Sequence, residues 1–446
     1  MSKVEEALKS AKETKALWVG PGILSRVAEL FREQFPYKKA VIIADTNTFR
    51  VAGQYAERFI FEAGIEQESP FIFTDAELHA EYSYIDRLTG FLKNTGAIPV
   101  AVGSGTINDL TKLSSHLTGK PYMCVATAAS MDGYTSFGAS ITANGAKQTF
   151  NCPAPQACLA DIDIISKAPS GMTAAGYADL FAKIVAGADW ILADALNIEP
   201  IESQAWNIVQ GGLHDALSDP EGVKNGKAES ISKLLEGLML GGFAMQWLQS
   251  SRPASGAEHY FSHLWDMEHH TYNGKNVSHG FQVSLGTIAI TALYEQMLKT
   301  PIEKIDIDAA CDAWPTAKEM DKAVLELFGK TAFIERCLQE TRAKYIDKTQ
   351  LYNQLQLFVE KWPETKIRLE RQLLSLEDAK AKLKAVGAPV EPEEIGLSRN
   401  KLRETFLHSQ FLRNRYTIID FAVRANYMEQ WLEGLFGKDG VWSING

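Results

Sequence analysis

What most constrains this chain is a change of rhythm near residue 165. Before it, short apolar runs alternate with stretches of helical periodicity; after it, strand signals all but vanish. The runs are ALWVG (16–20), AVIIAD (40–45), FIFT (71–74), IPVAVG (98–103) and YMCVAT (122–127). The segments between them, such as 47–63 and 81–94, carry apolar residues at helical spacing. That alternation predicts a parallel sheet covered by helices. In ASITA-NG-AKQTF, Asn144-Gly145 stands between alternating segments and predicts a small antiparallel hairpin beside the sheet. Beyond about Lys167, long amphipathic or wholly apolar helices are expected, among them 174–196, 231–249, 281–298 and 416–436. A chain of 446 residues exceeds what one core usually supports. The expected organisation is therefore an α/β domain over 1–166 and an all-helical domain over 167–446. The Lys- and Glu-rich stretch 341–394 reads as solvated helices plus a connector.

Composition narrows the partners. The net charge of −10, without a dense basic patch, disfavours nucleic acid and anionic membrane. Five cysteines, an odd number with no Cys-x-x-Cys pair, fit the thiols of a reducing compartment. The charged N-terminal stretch MSKVEEALKSAKETK lacks the pattern of a secretory signal, and the apolar run 238–248 is too short to span a bilayer. The expected address is the cytoplasm.

Four stretches carry chemistry. In VGSGTINDLTK (102–112) a strand runs into Gly103-Ser104-Gly105-Thr106 and continues as a helix. Glycines admit close backbone approach, and the helix N-terminus presents unpaired N–H groups to a pyrophosphate. A simple tight turn fits the same residues, because Asn108 stands where the usual dinucleotide fingerprint has its third glycine. In VATAASMDGYTS (125–136), Thr127, Ser130, Ser136 and Asp132 fall at the carboxyl edge of the sheet, where open α/β sheets bind ligands. Asp132 suits a turn or helix cap equally well. On the helix AGYADLFAKIVAGADW (175–190), Asp179 and Lys183 stack four apart, as a surface ion pair also would.

The fourth stretch, SGAEHYFSHLWDMEHHTYNGKNVSHG (255–280), holds five of the nine histidines. His259 and His263, four apart, point the same way on a helix. The spelling HYFSH lacks the glutamate of a zincin protease. His279 follows Ser278, a candidate N-cap for the next helix. Two imidazoles from successive helices plus one carboxylate make a three-ligand site with an open position, the form of a catalytic metal centre. His269 and His270 have no evident role.

Taken in order, GSGTINDLTK, VATAASMDGYTS, the helix with Asp179, SSRPASGAEH and the His279-Gly280 pair resemble the sn-glycerol-1-phosphate dehydrogenases. These belong to the iron-containing alcohol dehydrogenase and dehydroquinate synthase-like superfamily. The resemblance covers about residues 15–300. It implies an α/β domain that binds NAD(H) or NADP(H) and a helical domain that holds one divalent ion, zinc, nickel or iron, through Asp179, His259 and His279. By the same resemblance Gly103, Ser104, Gly105 and Thr106 form the pyrophosphate loop, with Asp109 and Lys112 on the helix behind it. Asp45 falls at the adenosine ribose, where a carboxylate favours NADH. Thr127, Ser130, Asp132 and Ser136 fall near the nicotinamide and substrate, and His263 near the nicotinamide as a proton carrier. Lys183 and Arg252 are the candidates for the substrate phosphate. The implied reaction is reduction of dihydroxyacetone phosphate to sn-glycerol 1-phosphate by a homo-oligomer. A polyol dehydrogenase and a phosphate-eliminating sugar-phosphate cyclase are the competing readings.

Overall fold

The computed structural model describes residues 3–143 and 145–444. Eight strands lie in its first 161 residues: β1 (Ala16–Gly20), β2 (Ala40–Asp45), β3 (Phe71–Phe73), β4 (Ile98–Gly103), β5 (Met123–Ala126), β6 (Ala139–Ala143), β7 (Ala146–Phe150) and β8 (Ala157–Asp161). Six form one parallel sheet in the order β1-β8-β5-β4-β2-β3. β6 and β7 pair as a separate antiparallel ribbon. Asn144, at its turn, lies outside the described residues. The expected strands all form; β8 has no counterpart among them. Its sequence ACLAD is alanine-rich and reads weakly as strand. It is nevertheless fully buried between β1 and β5, where tertiary packing overrides propensity.

Successive residues of a strand face opposite sides of the sheet. Ala40, Ile42 and Ala44 therefore join one core with Val100, Val102 and Leu159. Val41 and Ile43 join a second, larger core with Ala101, Cys124 and Ala160. Helix α1 (Gln54–Glu62), after β2, covers the first face through Ala56 and Ile60. Helix α2 (Gly105–Leu117), after β4, covers the second through Ile107, Leu110 and Leu113. Neighbouring strands β2 and β4 thus send their chains to opposite faces, and a crevice opens between their carboxyl ends, where ligands of open α/β sheets bind. Asp45 and Gly103 end those two strands.

The second core continues without a break into the helical half. Its principal helices are α3 (Ser170–Phe181), α4 (Lys183–Ala195), α5 (Ala228–Leu248), α6 (Ala257–Met267), α7 (His279–Lys299), α8 (Lys348–Gln372) and α9 (Leu376–Val386). The expected helix 174–196 is α3 and α4, whose hydrogen-bond ladder runs on through Ala182. The expected helix 416–436 is two helices, Ile418–Arg424 and Met428–Phe436, parted where Asn426 takes a left-handed φ of 58°. Two-residue strands Thr271–Tyr272 and Lys275–Asn276 pair within the α6–α7 connection, a small exception to the all-helical expectation.

The charged stretch 341–394 departs from its reading as solvated helices. In α8, Leu351, Leu355, Phe358, Trp362 and Leu369 are buried, and Gln372 donates to the Ile184 carbonyl of α4 at 3.0 Å. One apolar stripe is enough to dock a helix, and the charges lie on its other face. Among the described residues no helix is long and apolar enough to cross a membrane.

Candidate active site

Asp179 on α3, His259 on α6 and His279 at the first position of α7 meet in the helical half. One donor atom from each lies within 4.8 Å of the others, and theirs is the only such group of metal-binding side chains among the described residues. Glycine makes the meeting possible. A Cβ on Gly280 would stand 2.2 Å from the Ala175 carbonyl oxygen, and one on Gly176 would stand 1.9 Å from that of Ala129. Any side chain at either position would push α7 off α3, or α3 off the loop after β5. Ser278 takes the N-cap position of α7, but its hydroxyl makes no capping bond.

Each ligand is held by a partner of its own. Glu258, fully buried, accepts from His259 Nδ1 at 2.7 Å and from the Gly256 N–H at 2.7 Å. His259 therefore carries its proton on Nδ1 and keeps the Nε2 lone pair. The Ser262 hydroxyl donates to Gln282 Oε1 at 3.1 Å, so it accepts from His279 Nδ1 at 2.8 Å, with the same result. Gln282 in turn donates to Asp266 at 3.0 Å, and Asp266 pairs with Lys147 at 2.7 Å. Behind Glu258 stands a second buried carboxylate, Asp189. It accepts from Tyr294 Oη at 2.6 Å, Ala257 N at 2.7 Å and Ile418 N at 2.9 Å. Burial, then the Glu258 charge, push it up to about 7 despite those donors.

Charge states follow from surroundings. Burial favours the neutral acid at Asp179, but Lys183 and His259 outweigh it and hold the carboxyl well below the usual range. His279 is driven down to about 3 by burial, then by the Lys147 and His259 charges. His263 is also held neutral, by burial first and then by Arg413. At His259 burial opposes the charge, yet hydrogen bonds to Asp179 and Glu258 raise the pKa, so Nε2 favours a cation, whether proton or metal ion, beside Asp179. An ionised carboxylate and two imidazoles with free Nε2 atoms suit a divalent ion such as zinc, nickel or ferrous iron. The donor set fits the metal expected there.

Asp132 joins this cluster from the α/β half. Its Oδ2 lies 2.6 Å from Lys183 Nζ, and its N–H donates to Asp179 Oδ2 at 3.1 Å. Lys183, fully buried, is also 2.9 Å from Asp179 Oδ1, so its charge is already balanced by two carboxylates. Arg252 is not brought to the cleft. Its buried guanidinium pairs with Glu199 at 3.2 Å and donates to the carbonyls of Asp189 and Tyr416, which ties three segments of the core together.

The turn Gly103-Ser104-Gly105-Thr106 passes from β4 into α2, with Ser104 at the N-cap and no side-chain cap. The first N–H groups of such a helix lack intrahelical partners and remain available to an anion. Asp45 caps the following helix through Oδ1, which accepts from Asn47 N and Thr48 N, and its Oδ2 has no such bond. Thr127 donates its N–H to the Gly103 carbonyl at 3.1 Å and links β5 to the turn. Ser130 lies in the same loop, where Tyr134 Oη donates to the Ala128 carbonyl at 2.7 Å.

Lys112, Asp109 and Ser136 serve the scaffold. Buried Lys112 donates to the carbonyls of Gly133, Ser136 and Gly138 at 2.9–3.0 Å and to the Ser136 hydroxyl at 3.2 Å. It thereby moulds the loop that carries Asp132. Asp109 accepts from the Ser140 N–H of the ribbon at 3.3 Å. His269 is exposed and His270 bonds the Ile395 carbonyl at 2.7 Å, both apart from the ligands.

Sequence reading did not find Glu258, Ser262, Gln282, Asp266 or Lys147 as supports. The spacing of Glu258, Ser262 and Asp266 along one helix was a visible signal, but only the fold shows what each one touches.

The model of the iron-containing alcohol dehydrogenase family matches residues 18–169. A glycerol-1-phosphate dehydrogenase [NAD(P)+] of Halalkalibacterium halodurans is 34% identical over 65% of this chain and 73% of its own length. The protein of the same name from Pyrococcus horikoshii is 31% identical over 62% and 77%, and that of Geobacillus thermodenitrificans 29% over 86% of both. Among solved structures, a probable glycerol dehydrogenase from Sinorhizobium meliloti superposes with a TM-score of 0.60 over 94% of this chain and 98% of its own, at 15% identity. At that identity the likeness concerns the fold.

Proposed function

The chain belongs to the glycerol-1-phosphate dehydrogenase family, and on that premise we propose that it reduces dihydroxyacetone phosphate to sn-glycerol 1-phosphate, reversibly, with NADH or NADPH and one divalent metal ion. The observation that carries this reading is the meeting of Asp179, His259 and His279 against a loop that α2 holds at the nucleotide turn. When bound, the ion supplies polarisation of the carbonyl and the nicotinamide supplies hydride.

The chain's own residues do the rest. Asp179 stays ionised beside Lys183, and Asp132 shares that lysine so that it does not neutralise the ligand. Glu258 and Ser262 engage Nδ1 of both ligand histidines and so leave Nε2 of each to the ion. His263, half-buried and neutral, takes the hydroxyl proton in the oxidative direction and returns it in reduction. Gly103 to Thr106 receive the pyrophosphate on backbone N–H groups, with Thr127 and Ser130 beside them. Oδ2 of Asp45 accepts from the adenosine ribose and opposes a 2′-phosphate, which favours NADH.

The reading assigns residues 1–166 to nucleotide binding and 167–446 to metal binding. Five buried free thiols support a reducing, cytoplasmic setting, and exposed Tyr37, Tyr55 and Phe61 support a homo-oligomer.

The test is turnover of dihydroxyacetone phosphate with NADH by the metal-loaded protein. The product should resist a dehydrogenase specific for sn-glycerol 3-phosphate. Asp179→Ala should lose bound metal and at least about 10³-fold in rate. Full metal and activity in that variant would sink the site. Faster use of glycerol would favour a polyol dehydrogenase, and phosphate release without net NADH consumption would favour a cyclase.

A further inference from the structure

Both side chains expected to meet the substrate phosphate are already committed: Lys183 to two aspartates, Arg252 to Glu199 and two carbonyls. A phosphorylated substrate still requires a cation. One cationic side chain, in the segment that packs on the helix of His259 and His263, makes no hydrogen bond or ion pair among the described residues.

The segment after the 3₁₀ turn Ser409–Phe411 crosses α6. It is anchored one residue from His259, where Tyr260 Oη donates to the Arg415 carbonyl at 2.9 Å. Arg415 itself donates to the Ser255 carbonyl at 2.6 Å and to the hydroxyls of Ser255 and Ser251 at 2.8 and 3.0 Å. The Asn414 N–H donates to Glu340 at 2.9 Å. Arg413 stands just before these fixed points, after the turn. Its Nε is buried without a hydrogen-bond partner, and among the described residues its guanidinium makes no ion pair.

The neighbouring charges deepen the imbalance. Arg336 reaches the Lys147 carbonyl at 3.1 Å and Glu340 at 4.0 Å, and Lys147 pairs with Asp266. Two carboxylates, Glu340 and Asp266, thus stand against four cations in a chain that is acidic overall. Arg413 is pushed down to about 10 by burial, then by the charges of Arg415 and Arg336. It is also the charge that acts most strongly on His263. Arg413 is half-buried, with its Nε sealed from solvent, and a desolvated donor without a partner is a place for an anion. Its planar fork suits two oxygens of one phosphate.

We propose that Arg413, carried over α6 by the segment anchored at Tyr260, binds the substrate's phosphate group and sets the preference for phosphorylated over free triose. This rests on the reading of the site as a triose-phosphate reductase. It places a specificity-determining residue in the last 140 residues, beyond the motifs of about residues 15–300 that carry the resemblance.

The test compares wild type, Arg413→Gln and Arg413→Lys as metal-loaded enzymes on dihydroxyacetone phosphate and on dihydroxyacetone. In Arg413→Gln the ratio of kcat/KM for the two substrates should fall about 10- to 150-fold, mostly through KM, with Arg413→Lys between. Binding of inorganic phosphate, followed by calorimetry on the same proteins, should weaken by a similar factor. An unchanged substrate ratio with unchanged phosphate affinity overturns the proposal, and so does an equal loss on both substrates. If wild type reduces neither triose, the functional reading falls, and the phosphate titration still decides whether Arg413 is an anion receptor.

Discussion

The nucleotide turn and the ligand cluster are built on opposite principles. At Gly103 to Thr106 the site proposed for the nucleotide is backbone: N–H groups at the start of α2, with no side-chain cap from Ser104. At Asp179, His259 and His279 it is side chains, and each is oriented by a further buried group. A backbone site tolerates exchange of its side chains wherever the fold persists. A side-chain site transmits each change to its neighbours through hydrogen bonds.

Three changes sharpen that contrast, beginning with Glu258. Glu258→Gln keeps the shape but removes the charge behind His259, and should weaken metal affinity about 10- to 100-fold in chelator competition. An unchanged affinity would mean that His259 needs no such support.

Acidification should act next, on stability. His279 has a folded pKa lowered to about 3 and His263 a lowered one, so below the ordinary imidazole value of about 6.5 these two groups bind more protons in the unfolded chain than in the folded one. The stability these groups contribute is complete above about 6.5 and drains away as pH falls towards about 3. Asp189 and His259, both raised, act in the opposite sense over that window, so the test is a difference: metal-free wild type should lose more melting temperature on acidification than His263→Gln does. Equal slopes in the two proteins would contradict the neutral state assigned to His263.

The smallest effect is expected at the turn. Thr106→Ala leaves every backbone N–H in place and should raise KM for NADH only about two- to fivefold, the scale of one ordinary hydrogen bond. A 100-fold rise would show that this side is also built from side chains.

Much of this molecule was legible as a string. Asp45, Gly103 and Gly105 announce themselves because strand-to-helix junctions are local in sequence, and local patterning reports them. The three ligands were legible through the family resemblance, and the structure brings the same three together. β8 was not, because an alanine-rich strand is made by its neighbours. Nor were Glu258 and Lys112, whose partners lie on other elements or depend on a loop's path. Arg252 shows the reverse case: a basic residue in a conspicuous motif that the fold spends on the core.

By itself, then, the sequence determined the order of the elements, the split between an alternating first part and a helical second, and the kinds of side chain available for chemistry. Periodicity and residue type are properties of the chain, and they survive without coordinates. Tertiary structure alone decided which charges are balanced. Lys183 lies between two aspartates, Arg252 lies against Glu199, and Arg413 keeps a buried Nε without a partner. The physical reason is that a charge's role depends on distance and burial, which are set by segments up to hundreds of residues apart.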